Sequence, residues 1–277
     1  SCIKDLMQVT LEQNSEVVSL SPCFPMYFIY ASTFNSKFIS ISYENFKEKQ
    51  LNAYYEAITS KTSLVILTNP GSPFGYYLSS SEVEELARFT SIKGIILLID
   101  EAYVEFAPGD CLNLVEKYSN VVISRTFSKA WGAAGCRVGY LISQRENISN
   151  ISKVKLTYPI NTIAVKFCSF LIDNSEYVNK YIKESILERD KLCDELENSD
   201  FEVIRSHTNT IHFHEKNGDN SRTIDILNKN KVAFKAGSKK TGTAVRVPGD
   251  NRETWIRLSL GSGILQSKFM QEILEKK

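Results

Sequence analysis

The sequence lacks several features that would point to common classes of protein. No apolar run is long enough to cross a bilayer. Lys+Arg 33 against Asp+Glu 32 leaves no charge excess for nucleic acid or a membrane surface. No apolar strand leads into G-x-G-x-x-G or a P-loop, which argues against a plain nucleotide-binding α/β domain. Repeats and low-complexity tracts are missing too, so the 277 residues have the composition of an ordinary globular protein with one large or two smaller domains.

The six cysteines form no C-x-x-C pair and lie scattered through the chain, several of them inside apolar patterns. We therefore expect free thiols in a reducing cytosol, and neither a disulfide framework nor a zinc site. His212 and His214 would share one strand face. Two histidines without a third ligand are a weak metal site, so we predict no metal.

The most informative stretch is residues 124–140, which read SRTFSKAWGAAGCRVGY. The apolar run Val121-Val122-Ile123 leads into it and predicts a buried strand. Lys129 comes just after this strand, where a lysine can be partly desolvated and therefore lose its proton more easily. A neutral amine is what Schiff-base formation with an aldehyde requires.

Polar side chains around this lysine suit a phosphate group. Thr126 and Ser128 would supply hydroxyl donors, and Arg137 would supply a bidentate positive fork. An aldehyde partner for Lys129 combined with a phosphate points to pyridoxal 5′-phosphate (PLP). The whole string, S-x-T-x-S-K-A-x-G-x-A-G-x-R-x-G-Y, resembles the lysine motif of the class I/II aminotransferases, and especially of their histidinol-phosphate aminotransferase branch.

A second motif follows another apolar strand. Residues 64–75, LVILTNPGSPFG, resemble the N-P-N-N-P-T-G turn of this family. The first Asn of that turn donates to the 3-oxygen of the cofactor, and the resemblance gives this role to Asn69. Gly71, Ser72 and Phe74 depart from the family pattern at positions that mainly shape the turn.

A third motif begins with the continuous apolar run of residues 95–99, which is typical of a strand covered on both faces. Asp100 follows, and a carboxylate there can reach a ring nitrogen and keep the pyridinium protonated, which makes the ring an electron sink. DEAYVEF resembles the D-E-A-Y-x-x-F of the family. The resemblance gives Tyr103 a hydrogen bond to the 3-oxygen, beside Asn69.

Residues 21–27, SPCFPMY, are similar to the P-x-aromatic-x-x-Y segment of the family, whose first aromatic stacks on the pyridine ring. By position this aromatic is Phe24, with Tyr27 as a second candidate. Both would otherwise be core aromatics.

Substrate-binding residues are implied nearer the C-terminus. WIRLSLG at residues 255–261 resembles the L-R-I-T-x-G strand of the family, whose arginine binds the substrate α-carboxylate as a bidentate pair, and this role falls on Arg257. Histidinol-phosphate aminotransferases carry an upstream arginine for the substrate phosphate. Lys235 stands there instead, as a point charge rather than a fork.

Strands and helices alternate between residues 15 and 143, which predicts an α/β fold with a largely parallel, seven-stranded-type sheet sandwiched by helices. The candidate residues follow the carboxyl ends of these strands, where ligands bind in open α/β sheets. Residues 46–59 are predicted as one helix and residues 250–253 as a polar turn. We divide the chain into a PLP-binding large domain, residues 1–165, and a smaller C-terminal α+β domain, residues 166–277.

In the family, a Gly/Ser loop holds the cofactor phosphate at the N-terminus of the helix that corresponds to residues 1–13. That loop would fall at or before Ser1. The N-terminal arm and the first strand-helix units of the family also have no counterpart in the sequence. We therefore expect this chain to be part of a longer polypeptide or a short member of the family.

The resemblance implies a homodimeric enzyme of the aspartate-aminotransferase fold (fold type I) that moves an amino group between an amino acid or primary amine and a 2-oxo acid. From the free thiols we expect it in the cytoplasm. Histidinol phosphate is one possible substrate. A decarboxylase of a phosphorylated amino acid shares the lysine motif and stays open. A regulatory PLP domain fused to a DNA-binding module is a further alternative, although the balanced charge and the lack of a helix-turn-helix leave no DNA-binding part in this chain.

Overall fold

A computed structural model describes residues 2–236 and 255–275. The chain forms two compact units, Ser1–Asn174 and Ser175–Lys277. The predicted boundary between residues 165 and 166 falls inside a helix, and the units divide after that helix instead. The polar turn predicted at residues 250–253 lies outside the described residues. No helix in the described part of the chain is long and apolar enough to cross a membrane.

The first unit alternates helices and strands. Its elements are α1 Cys2–Thr10, β1 Glu16–Ser21, α2 Met26–Thr33, β2 Lys37–Ser42, α3 Tyr43–Lys49, α4 Asn52–Ala57, β3 Thr62–Thr68, α5 Ser80–Ile92, β4 Ile96–Asp100, α6 Leu112–Lys117, β5 Val121–Thr126, β6 Gly139–Ser143, α7 Arg145–Ser152 and α8 Thr162–Asp173, with short 3-10 helices at Val104–Phe106 and Ala134–Cys136.

These strands form one sheet in the order β2-β1-β3-β4-β5-β6. Neighbouring strands from β2 to β5 pair in parallel, and β6 pairs antiparallel with β5. The α/β class and the largely parallel sheet are therefore confirmed. Within the described residues this sheet has six strands, so the predicted count of seven is wrong for this part of the chain.

Helices cover both faces of the sheet. One face packs against α3, α4, α5 and α6, and the other against α1, α2 and α7. Because side chains alternate along a strand, Leu97 and Ile99 of β4 point to the first face and Leu98 points to the second. The same alternation sends Asp100 toward the second face and Glu101 toward the first.

The single helix predicted for residues 46–59 is wrong. Two short helices, α3 and α4, take its place, and Gln50 between them has a φ of 49°. A positive φ is outside the right-handed helical region, so the helix ends there. The buried residues Phe46 and Tyr54 lie on either side of this break and pack in the same core.

The second unit begins with a long helix and carries its own antiparallel sheet. Its elements are α9 Ser175–Glu197, β7 Phe201–Ile204, β8 Thr210–Glu215, α10 Ser221–Lys229, β9 Phe234–Ala236, β10 Ile256–Ser259 and α11 Lys268–Leu274. In the described residues the strand order is β7-β8-β10-β9, with every neighbouring pair antiparallel. One face of this sheet packs on apolar side chains of α9, α10 and α11.

Candidate active site

The carboxyl ends of β3, β4 and β5 bring three polar side chains into one row. Thr68 pairs with Asp100, and Asp100 pairs with Ser124, in the parallel register. Residues paired in this way point to the same face of the sheet. The row faces α2, which supplies Tyr27.

Asp100 is buried and bound from two sides. Ser124 Oγ donates to its Oδ1 at 2.9 Å, and Tyr27 Oη donates to its Oδ2. Burial raises the pKa of Asp100, although these two hydrogen bonds and the nearby charge of Lys129 act in the opposite direction. An ionised carboxylate has about four lone-pair positions. Two side-chain donors and the backbone N–H of Ala102 therefore leave acceptor capacity for one further protonated group.

Tyr27 is the site residue that sequence reasoning ranked too low. Its side chain is fully buried, and its hydroxyl also lies 3.4 Å from Thr68 Oγ1. Tyr27 and Ala31 are four residues apart and form the buried face of α2, a spacing visible in the sequence. The sequence does not show that this face lies over Asp100, because that position depends on the packing of α2 against the sheet.

Phe24 stands at the edge of this cluster. Its side chain is 49% exposed, and its ring packs edge-on against Tyr27, with 5.6 Å between centroids and 84° between planes. The structure therefore places Phe24 next to a partner of Asp100. Its stacking on a cofactor ring stays a prediction.

Lys129 lies beside Tyr103 and acts electrostatically on Asp100. Its Nζ is 4.9 Å from the centroid of the Tyr103 ring, and its charge lowers the pKa of Asp100. Lys129 itself is exposed, whereas Tyr103 is buried. The expected desolvation of Lys129 is therefore wrong for this structure, since the loop after β5 carries the lysine outward. Lys129 nevertheless comes together here with Asp100 and Tyr103, which belong to a different motif.

The end of β5 and the loop that follows it contain the predicted phosphate ligands. Thr126 Oγ1 donates to the carbonyl of Val138 at 3.2 Å and accepts from the backbone N–H of Ser128 at 3.1 Å. Arg137 is exposed, has a φ of 57°, and donates from Nη1 to the carbonyl of Ala134 at 3.0 Å. Left-handed backbone is uncommon outside glycine. Here it turns the chain sharply into β6.

Asn69 is tied into the turn that follows β3. Its Nδ2 donates to the carbonyl of Leu78 at 2.8 Å, and its Oδ1 accepts from the Leu78 N–H at 2.9 Å. The departure from the family turn at Gly71 has a steric reason, because a Cβ there would lie 1.9 Å from the ring of Tyr76. Donation from Asn69 to the 3-oxygen of a cofactor stays a prediction.

Arg257 and Lys235 are cross-strand partners on β10 and β9, so they share one face of the second sheet. His212 faces Arg257 from β8 on the other side. Burial and the charge of Arg257 lower the pKa of His212 to about 3, which keeps the imidazole neutral at neutral pH. Two cations therefore lie side by side next to an uncharged ring.

A hydrogen bond joins the lysine loop to the segment that carries Tyr103. Trp131 Nε1 donates to Glu105 Oε1 at 2.9 Å. Burial raises the pKa of Glu105, opposed in part by this hydrogen bond. The Glu105 carboxylate thus links the loop that contains Lys129 to the segment that contains Tyr103. Sequence reasoning missed this contact because the two residues are 26 positions apart.

These groups fit a PLP site. A lysine amine suits an aldehyde, a buried carboxylate with acceptor capacity suits a protonated ring nitrogen, and hydroxyls with a guanidinium suit a phosphate. Together with the parallel sheet, they define an α/β protein of the PLP-binding class.

Comparison with known proteins gives the family. The model of the family described as aminotransferase class I and II matches residues 1–272. Histidinol-phosphate aminotransferase 1 of Carboxydothermus hydrogenoformans is 34% identical over 195 residues, which are 70% of this chain and 55% of that protein. The chain belongs to the class I and II aminotransferase family, whose members are PLP-dependent enzymes. The predicted family is thereby confirmed, and PLP is the cofactor of that family.

Solved structures show the same fold. Histidinol-phosphate aminotransferase of Sinorhizobium meliloti, in complex with PLP, superposes with a TM-score of 0.76 at 21% identity, over 98% of this chain and 71% of that one. L-threonine-O-3-phosphate decarboxylase of Porphyromonas gingivalis gives 0.72 at 18% identity, over 99% and 80%. The fold is therefore common to an aminotransferase and a decarboxylase.

The raised pKa of Glu105 predicts a pH-dependent effect of Glu105→Gln. Since the folded state binds this proton more tightly than the unfolded state, wild-type protein loses stability as the pH rises from about 4.5 through the folded pKa. Gln keeps an acceptor for Trp131 and has no charge to bury. The free energy of unfolding of the variant, minus that of wild type, should therefore increase between pH 4 and 7 in urea titrations.

Glu84→Gln is the matched control for this prediction. A hydrogen bond from Lys117 lowers the pKa of Glu84, so this variant should lose relative stability as the pH rises. A difference between Glu105→Gln and wild type that stays constant with pH would contradict the prediction.

Proposed function

We propose that this chain is a PLP-dependent transaminase that moves an amino group between an amino acid or primary amine and a 2-oxo acid. The observation that carries the proposal is the position of Lys129 over the Tyr103 ring, close enough to the buried Asp100 to lower its pKa. Two separate motifs of the sequence supply these three residues: Lys129 comes from one, and Asp100 and Tyr103 come from the other.

When bound, PLP supplies an aldehyde that carries the amino group and a ring that takes up the electrons released at the substrate Cα. Lys129 would bind that aldehyde and then remove the proton from Cα as the general base. Asp100 would hold the proton on the ring nitrogen. Its fixed partners, Tyr27 and Ser124, keep the carboxylate oriented toward that task.

The remaining cofactor contacts follow from the family motifs. Tyr103 and Asn69 would donate to the 3-oxygen, and Phe24 would stack on the ring. The hydroxyl groups of Thr126 and Ser128 and the guanidinium of Arg137 would bind the phosphate. The second N–H of Asn69 lies 3.8 Å from the sulfur of Cys111, a weak acceptor, so exchange for a cofactor oxygen has a low cost.

A phosphorylated, histidinol-phosphate-like amine is the substrate we propose. The pairing of Lys235 with Arg257 supports this, because two adjacent cations suit a substrate that brings a phosphate in one half-reaction and a carboxylate in the other. The neutral state of His212 adds no competing charge beside Arg257. Lys235 would hold the phosphate as a point charge.

The first experiment is an absorption spectrum of the protein with added PLP, for wild type and Lys129→Ala. We expect a visible band that requires Lys129 and that moves to the near-ultraviolet when glutamate is added. Lys93→Ala is the matched control, because Lys93 Nζ also lies over an aromatic ring, 5.1 Å from the centroid of Phe89. This control should keep both the band and its shift.

Other outcomes would count against the proposal in distinct ways. A lysine-dependent band that no amino donor shifts would contradict transamination and favour a regulatory PLP domain. Release of CO₂ from a phosphorylated amino acid would favour the decarboxylase. A protein without any band would contradict PLP binding by this chain.

Lys235→Ala tests the substrate. The KM for histidinol phosphate should rise about tenfold through loss of a charge-assisted contact, while the KM for unphosphorylated histidinol stays the same. Lys229→Ala, at an exposed lysine of α10, is the control. An equal rise in KM for both amines would contradict a phosphate role.

A homodimer is the assembly we propose. Helix α8 buries Ala164 and Cys168 on one side and leaves several large apolar side chains in solvent. Among them, Ile163, Phe167 and Phe170 are four and three residues apart and therefore share one exposed face of the helix. Monomers rarely expose contiguous apolar surface of this kind. A second copy of the chain would cover it, in keeping with the subunit-interface sites of this family.

The double variant Ile163→Glu/Phe170→Glu tests the dimer. Charges on this face should convert a dimer to a monomer, measured by sedimentation velocity at micromolar concentration. Ile92→Glu, on the exposed side of α5, is the control and should leave the dimer intact. A wild-type monomer, or a double variant that still dimerises, would contradict the proposal.

The cytosolic location inferred from the cysteines stays a prediction.

A further inference from the structure

Directly behind the Asp100 row, on the opposite face of the sheet, lies a second polar cluster. Arg125 Nε donates to Glu101 Oε2 at 2.9 Å, and Arg125 Nη2 lies 2.7 Å from the same oxygen and 2.9 Å from Asp110 Oδ2. We call Glu101, Asp110 and Arg125 the Arg125 cluster. Glu101 and Arg125 directly follow Asp100 and Ser124, so alternation along β4 and β5 sends the two clusters to opposite faces.

The Arg125 cluster is a poor candidate for a device that only adds stability. The side chain of Glu101 is 0% exposed and that of Arg125 is 15% exposed. Burial of such a pair costs about as much as the pairing returns, and apolar side chains of equal volume stabilise a fold at least as well. A buried ion pair is better suited to hold groups in a single arrangement.

The cluster closes the loop that carries Tyr103. The loop leaves β4 at Glu101, and Glu101 Oε1 accepts a hydrogen bond from the backbone N–H of Cys111 at 2.7 Å, where α6 begins. One carboxylate therefore joins both ends of the loop, and Arg125 binds both Glu101 and Asp110. The Cys111 sulfur in turn lies 3.8 Å from Asn69 Nδ2.

The backbone joins the two faces at the same point. Glu101 N–H donates to the carbonyl of Ser124 at 2.9 Å, and Asn69 N–H donates to the carbonyl of Asp100 at 2.9 Å. A displacement of Glu101 would therefore shift Asp100 and the strand end that carries Ser124. Such a displacement would change the orientation of the Asp100 carboxylate on one face of the sheet and the position of the Tyr103 loop on the other.

We propose that Arg125 is a positioning residue, which fixes the directions of Asp100 and Tyr103 by binding the Glu101 and Asp110 carboxylates behind them. This inference rests on the proposed function, but it also concerns the chain without cofactor. Arg125 touches neither cofactor nor substrate in this role. It acts through Glu101 and Asp110 alone.

The test compares Arg125→Met and Arg125→Lys with wild type in two measurements. Hydrogen exchange of the backbone amides in residues 101–111, without PLP, reports the order of the loop. Titration of the visible band reports the dissociation constant for PLP. Arg125→Met should speed exchange in this segment and weaken PLP binding, each by about tenfold, since small displacements of positioned groups have large effects. Arg125→Lys keeps the charge without the fork and should fall in between.

Arg205→Met is the matched control. Arg205 also bridges two carboxylates, with Nη2 at 2.5 Å from Asp194 and 2.6 Å from Glu197, but in the second unit and with half of its side chain exposed. Both measurements should stay within about twofold of wild type for this surface change. This control shows whether the loss of any arginine that bridges two carboxylates changes amide exchange and PLP affinity.

The double variant Glu101→Gln/Arg125→Met separates positioning from the cost of an unpaired buried carboxylate. Gln keeps an acceptor for the Cys111 N–H and removes the charge. The thermal midpoint should recover toward wild type, while PLP affinity stays low. Recovery of PLP affinity to within about twofold of wild type would overturn the proposal, because the arginine would then only neutralise Glu101.

Two further outcomes are decisive. Unchanged exchange in residues 101–111 in both single variants would overturn the positioning role, whatever the PLP affinity. A wild-type protein without a lysine-dependent band would contradict the proposed function instead, and the exchange measurement would still decide whether Arg125 orders the Tyr103 loop. The two proposals can therefore fail separately.

Discussion

The burial of one carboxylate is the constraint on which this site depends. Asp100 ends the central strand β4, where a charge without partners would be costly. Tyr27 and Ser124 meet that requirement from α2 and β5, so the carboxylate ties together a helix and two strands. The packing of this unit and the chemistry of its site thus rest on the same contacts.

The alternation of side chains along β4 and β5 gives the sheet edge two polar layers. The layer with Asp100 and Ser124 faces the helix that carries Tyr27, and the layer with Glu101 and Arg125 faces the loop that returns at Cys111. Neither layer could move alone, because the same peptide groups hydrogen-bond β4 to β5. The loop that carries the exposed Lys129 is therefore attached to a sheet edge that is held by polar contacts on both faces.

Local patterns in the sequence were sufficient for much of the fold. Three continuous apolar runs predicted parallel strands with candidate site residues at one edge of the sheet. These runs end at Asn69, at Asp100 and at the lysine motif. The structure contains the three parallel strands. The prediction of one helix at residues 46–59 failed because a single residue with a positive φ, Gln50, is not visible in an apolar pattern. The expected burial of Lys129 failed because strand burial does not extend along the loop that follows.

The sequence by itself determined the class of fold, the family and the identity of the residues that could bind PLP, since these depend on short motifs and on the period of apolar residues. Only the tertiary structure decided which residues support them. Tyr27 is 73 positions from Asp100, and Arg125 is 24 positions from Glu101. Contacts over such separations depend on strand register and on the packing of helices against the sheet, which no local pattern contains.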